Sequence, residues 1–174
     1  PPAVIMIDVI RQAAEAHPSQ EVSQARRQGG EPRMAKIAYP AHPEVPISKA
    51  VRAGDFVFTS AYGPWTFDPA RVVFDAGGKV LDDGSGNYDV PFEEQVHLTF
   101  ATVVEALAVA GCTLADVVDC QCWLSDVRDF VKFNEIYRTY FGADPPVRCV
   151  FGATFMFNVM VEIKVTAYRP LATA

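Results

Sequence analysis

Between Pro91 and Gly111 the chain reads "PFEEQVHLTFATVVEALAVAG", and its apolar residues Phe92, Val96, Phe100, Val103 and Leu107 recur at spacings of three and four. That period puts them on one stripe of a helix, with Pro91 suited to the first turn and Gly111 to the stop. A helix with one apolar stripe must bury it against a neighbouring layer, and the flanking segments alternate in the way of strands. "ISKAVR" and "DFVFTSAY" read as strands around a tight "AG" turn, with Val57 and Thr59 on one side and Phe56, Phe58 and Ser60 on the other. "LADVVDCQCWLSD" alternates likewise, "VRDFVKFNEIYRTYFG" is a second amphipathic helix ending at Gly142, and "VRCVFGATF" and "VMVEIKVTAYR" are two strands that can form a hairpin. The order β-β-(β)-α-β-α-β-β, where the bracketed strand is "ARVVFD", predicts an α+β sandwich: a single sheet with two helices on one face.

A chain of 174 residues, 50% hydrophobic and 21% charged, suits one compact core. Its net charge of −6 leaves no basic footprint, which disfavours nucleic acid and favours a small molecule or a protein as partner. Residues 1–33 carry four acidic and four basic residues, and so contribute nothing to that charge. They read as an N-terminal extension, a short helical stretch and a polar linker, ahead of a domain over 34–174, with Met34 as a natural start. The run "AVIMIDVI" is too short to span a bilayer and lacks a basic leader, so neither a membrane segment nor a secretory signal is expected. Cys112, Cys120, Cys122 and Cys149 lack zinc-site spacing, and no metal is expected. Cys120 and Cys122 share a strand face and read as small buried hydrophobes, and a reduced cytoplasmic setting is the simplest compartment.

Two charged residues stand out because they sit in the apolar closing strands. Arg148, Val150 and Gly152 share one face of their strand, and Met160, Glu162 and Lys164 share one face of the next. If those strands pair directly, Arg148 lies diagonal to Glu162 at ~7–8 Å, a gap that admits a small ligand between them. Arginine suits a carboxylate through its planar fork, and a glutamate in an apolar cleft serves as general acid and base. The same spacing also fits a plain cross-strand Arg148–Glu162 or Glu162–Lys164 ion pair, and the pattern alone leaves both readings open.

The segment "PPVRCVFGATFMFNVMVEI" resembles the C-terminal signature of the RidA (YjgF) family, as do "AGDFVFTSAYGP" and "VVDCQCWLSDVRDFVKFNEIYRTYF" further upstream. The resemblance spans roughly Pro46 to Pro170. It implies a chorismate-mutase-like fold, a homotrimer with active sites between subunits, and cofactor-free hydrolysis of reactive enamines and imines to 2-oxo acids and ammonia. By that likeness Arg148 clamps the substrate carboxylate and Glu162 activates a water and passes its proton to the leaving nitrogen. Ser60 and Asn134 line the cleft, Val150 stands where cysteine is often found, and Tyr62 is a source of a hydroxyl. With Ile47 in place of a frequent tyrosine, Ala61 in place of glycine and a long Gly63–Asp89 connection, the departures favour a larger substrate, such as a 2-aminomuconate-like enamine.

Two other functions compete with the deaminase. One is a non-catalytic ligand-binding or regulatory trimer, and the other an RNA-acting translation inhibitor. His97 reads as a polar helix-face residue, and His17 and His42 as loop residues. Trp65 and Phe67 are candidates to pack over a ligand, "GSGNYD" is a turn rather than a phosphate loop, and Phe151, Phe155, Met156 and Phe157 suit a core or an intersubunit surface.

Overall fold

The computed structural model describes residues 36–42, 45–64, 72–77, 80–83 and 90–171. The expectations for the 1–33 extension, Trp65, Phe67 and "GSGNYD" lie outside them. Six strands form one sheet in the order β1-β2-β3-β8-β6-β7: β1 (Lys36–His42), β2 (Val45–Ala53), β3 (Phe56–Thr59), β6 (Val117–Leu124), β7 (Val147–Gly152) and β8 (Val161–Tyr168). Helices α1 (Phe92–Ala108) and α2 (Phe130–Phe141) make the second layer. Between β3 and α1, β4 (Val72–Phe74) and β5 (Val80–Asp83) pair as a small separate ribbon. The alternation marks β4 but not β5. It also misses β1, whose register shifts on both sides of Pro40.

The core lies where the helical stripe meets one sheet face. Phe92, Val96, Phe100, Val103 and Leu107 are all buried, together with Val57, Cys120, Cys122, Leu124, Val161, Ile163, Val165 and Ala167. Glu93 and Glu94 sit in the first turn of α1, where carboxylates favour the helix dipole. Buried Gln95 donates to the Val90 carbonyl and accepts from the Met160 amide at 2.9 Å, which fixes the start of β8 beneath the helix. The β2–β3 turn puts Gly54 at φ 60°, a left-handed conformation that glycine takes without strain.

The closing strands do not form a hairpin. β6 lies between them, antiparallel to β8 and parallel to β7, so α2 is the crossover that a parallel pair requires. Adjacency in sequence suggested direct pairing, but residues 153–160 make a longer connection that carries the chain past β6. Arg148 therefore pairs with Cys120 and faces the helices, whereas Glu162 pairs with Trp123 and faces the uncovered side. That open face also carries Phe56, Phe58 and Tyr168, with rings 5.2 Å apart for Phe56 and Tyr168, and Phe151 beside Trp123. Phe151, Met156 and Phe157 are all exposed, which leaves the surface reading of that cluster.

Arg52 is buried without a carboxylate partner among the described residues. It donates to the carbonyls of Arg169 (2.9 Å) and Ala110 (2.8 Å), and so ties the β2–β3 turn to the end of β8 and to the chain just beyond α1. Arg52→Met is expected to lower unfolding free energy by about 2–4 kcal/mol, because it leaves the buried Ala110 contact without its donor and unties the Arg169 carbonyl. Urea denaturation at neutral pH measures this, and a loss below the error of the midpoint would count against the clamp.

Candidate active site

Arg148 lies on edge strand β7 and reaches toward α2. Its Nη2 donates to Asn134 Oδ1 at 2.7 Å, and its guanidinium carbon lies 4.4 Å from the Tyr137 ring centroid and 5.8 Å from that of Phe133. The two rings and the amide hold the fork in one orientation, by cation–π attraction and one hydrogen bond. Asn134 and Tyr137 are three apart on α2 and so share its face toward β7. These residues line a groove of about 570 Å³ with Arg138, Phe141, Gly142, Ala143, Pro145 and Pro146. Gly142 makes the sharp exit from α2 at φ 58°, and the two prolines stiffen the far wall.

No ion pair joins Arg148 to Glu162 or Glu162 to Lys164 among the described residues, so neither structural pairing that the pattern allowed is formed. The strand order explains this. Arg148 and Glu162 are two strands apart, offset by three residues and on opposite faces, which puts their backbones roughly 14 Å apart. Glu162 is half-buried, and burial raises its pKa above that of an ordinary glutamate. A carboxyl of this kind holds its proton to a higher pH, and once ionised it is the stronger base, both of which suit a proton shuttle.

The other expected site residues divide between these two places. Asn134 is at the Arg148 groove. Ser60 follows β3 close to the Tyr62–Ile163 bridge, beside β8 and the Glu162 end of the sheet, and its Oγ donates to the Ser48 carbonyl at 2.8 Å. Its hydroxyl oxygen therefore remains as an acceptor. Val150 shares the Arg148 face but lines a second cavity of about 230 Å³ with Leu124, Val127, Phe130, Phe151 and Gly152. Tyr62 joins neither place: it is buried, its hydroxyl donates to the Lys49 carbonyl, and burial pushes its pKa up to about 12. It is a structural tie between β2 and β8 rather than a hydroxyl offered to a ligand.

Cys120 and Cys122 lie under Arg148 with their sulfurs 3.5 Å apart, and the contact with Cys120, then burial, pushes the Cys122 thiol up. Cys122 therefore remains protonated and inert. Exposed His97 meets the Tyr140 hydroxyl at 2.7 Å, away from Arg148, as a helix-face residue. Among the described residues no cluster of histidine, cysteine and carboxylate side chains has the arrangement of a metal site. Tyr137 and Arg138 escaped the sequence reading, although both stand at helical spacing from Asn134.

A mixed sheet backed by two helices on one face, with an arginine on its edge strand and a perturbed glutamate on its bare face, defines a distinct α+β class. Residues 39–169 match the family model described as Endoribonuclease L-PSP, and the chain belongs to this YjgF/RidA family. A RutC family protein of Pyrococcus abyssi is 30% identical over 71% of this chain and 87% of its own. The 2-iminobutanoate/2-iminopropanoate deaminase of Rattus norvegicus is 32% identical over 60% of this chain and 78% of its own. The crystal structure of yeast Mmf1 superposes with a TM-score of 0.59 at 25% identity, covering 76% of this chain and 93% of that one. A YjgF family member from Neisseria meningitidis, at 23% identity and a TM-score of 0.60, shows the same fold over 80% of this chain and 99% of its own.

Proposed function

We propose that the protein hydrolyses reactive 2-imino and enamine acids to 2-oxo acids and ammonia, in a site shared between two copies of a homotrimer. The observation that supports this most directly is Arg148, fixed by Asn134 and Tyr137 and left without a protein carboxylate in its groove. In this reading the guanidinium and the Asn134 amide bind the substrate carboxylate and hold the imine carbon in place. Glu162 of the partner subunit takes a proton from a water whose oxygen bonds to that carbon. The carbon–nitrogen double bond becomes single, Glu162 passes the proton to nitrogen, and collapse of the carbinolamine releases ammonia and the 2-oxo acid. An imine is already electrophilic, so orientation and one proton shuttle suffice. Ser60 accepts a hydrogen bond on the Glu162 side, and Val150 shapes the wall near Arg148. The four free cysteines fit a cytoplasmic setting.

The direct assay follows 2-oxo acid and ammonia released from freshly generated imines and from 2-aminomuconate. Turnover no faster than that of Arg148→Ala on every compound would sink the assignment. Arg148-dependent carboxylate binding without any turnover would instead identify a ligand-binding trimer. The family description names an endoribonuclease, and salt-sensitive RNA binding by this acidic chain is the result that would favour that activity.

The division of the site has its own test. Arg148→Ala and Glu162→Gln are each expected to be inactive, but refolded together in equal amounts they should recover about a quarter of wild-type activity. In a closed ring that is the chance that one interface draws an intact Arg148 and an intact Glu162 from different copies. No recovery would place both groups in a site within one chain.

A further inference from the structure

We propose that Arg138 is a second anion-binding group of the Arg148 groove and that the preferred substrate is an imino or enamine acid with a second carboxylate, an inference that rests on the deaminase reading above. Asn134 and Arg138 are four residues apart on α2, so they are neighbours one turn apart on the same face, with Cβ atoms roughly 6 Å apart. Asn134 already holds Arg148, and all three side chains line the same groove. The groove thus carries two guanidinium groups and a neutral amide, and its lining includes no aspartate or glutamate.

The other described arginines are all accounted for within the protein. Arg128 pairs with Asp126, Arg169 with Asp116, and Arg52 is held by backbone carbonyls. Arg138 has neither a carboxylate nor a hydrogen-bond acceptor for its guanidinium among the described residues, although it lines the same groove as the substrate-binding arginine. At about 570 Å³ the groove is in the ~300–1,000 Å³ range of pockets for sizeable ligands, and a three-carbon imino acid would leave most of it unfilled. A diacid is the ligand that would use both guanidinium groups. Arg148 then holds the carboxylate next to the reacting carbon, and Arg138 selects the distal one.

Titration calorimetry with the stable product-type acids 2-oxoglutarate and 2-oxobutanoate tests this on the assembled protein without needing turnover. Wild type is expected to bind the diacid at least ten times more tightly, and Arg138→Gln to bring the ratio of dissociation constants close to one. Arg138→Lys should keep much of the preference, since it keeps the charge at the same place. A residue that only complements the α2 dipole would shift melting temperature and leave the ratio alone. Equal affinities in wild type, no binding of either acid, or a preference that survives Arg138→Gln overturns the inference. A preserved diacid preference with no hydrolysis of any imine overturns the deaminase reading and leaves the two-anion groove standing.

Discussion

Arg148→Ala is expected to lower kcat/KM on 2-imino acids by about a thousandfold, equivalent to about 4 kcal/mol of lost substrate and transition-state binding. Two parallel charge-assisted hydrogen bonds disappear, and Asn134 is left with an acceptor that no longer faces a cation. Loss of shared ground-state binding raises KM, and misplacement of the imine carbon relative to the water lowers kcat as well. Arg148→Lys should recover little of this. A lysine keeps the charge but cannot donate both parallel bonds while lying flat over the Tyr137 ring. Steady-state kinetics on freshly generated imines decides it, and a fall of less than tenfold would mean that the carboxylate is held elsewhere.

Glu162→Gln is expected to reduce kcat by 10² to 10⁴ while leaving carboxylate binding at Arg148 intact, because it removes the proton shuttle and nothing from the guanidinium. The wild-type rate should also fall as pH drops through the raised pKa of Glu162, at a higher pH than the ~4.3 of an ordinary glutamate would give. Stability moves the other way. In acid both folded and unfolded chains are protonated at this site, and burial of the carboxyl carries no penalty of ionisation. As pH rises past the ordinary glutamate range, the unfolded chain ionises first and folded stability declines until the raised pKa is passed. Glutamine never ionises, so Glu162→Gln should match or exceed wild type in melting temperature at neutral pH, and this advantage should vanish in acid. A variant that is both inactive and clearly less stable at neutral pH would identify Glu162 as a structural group.

The helices and their buried stripes were legible because a period of three and four extends over many residues and ends at Gly111 and Gly142. The faces of β3 and β6 were legible for the corresponding reason: Val57, Thr59, Cys120 and Cys122 alternate with residues that face outward. What alternation cannot encode is which strand lies beside which. β8 enters between β3 and β6, and no residue within β8 announces its neighbours. The candidate site inherits that limit. Arg148 and Asn134 were identified individually and do meet, whereas the diagonal placement of Arg148 and Glu162 depended on a pairing that β6 prevents. Tyr62 illustrates the same point from the side-chain end, since a hydroxyl read as available is used by the Lys49 carbonyl across the sheet.

If the proposed site is shared between copies, the opposite-face placement of Arg148 and Glu162 ties chemistry to abundance. Under the proposed function, a chain that presents its cation and its base on different sides offers two half-sites and no complete one. Diluted below its assembly constant, the protein should keep its helical spectrum and its Arg148 groove while specific activity falls away. The cellular dose of this polypeptide would then set the threshold below which reactive imines go unhydrolysed.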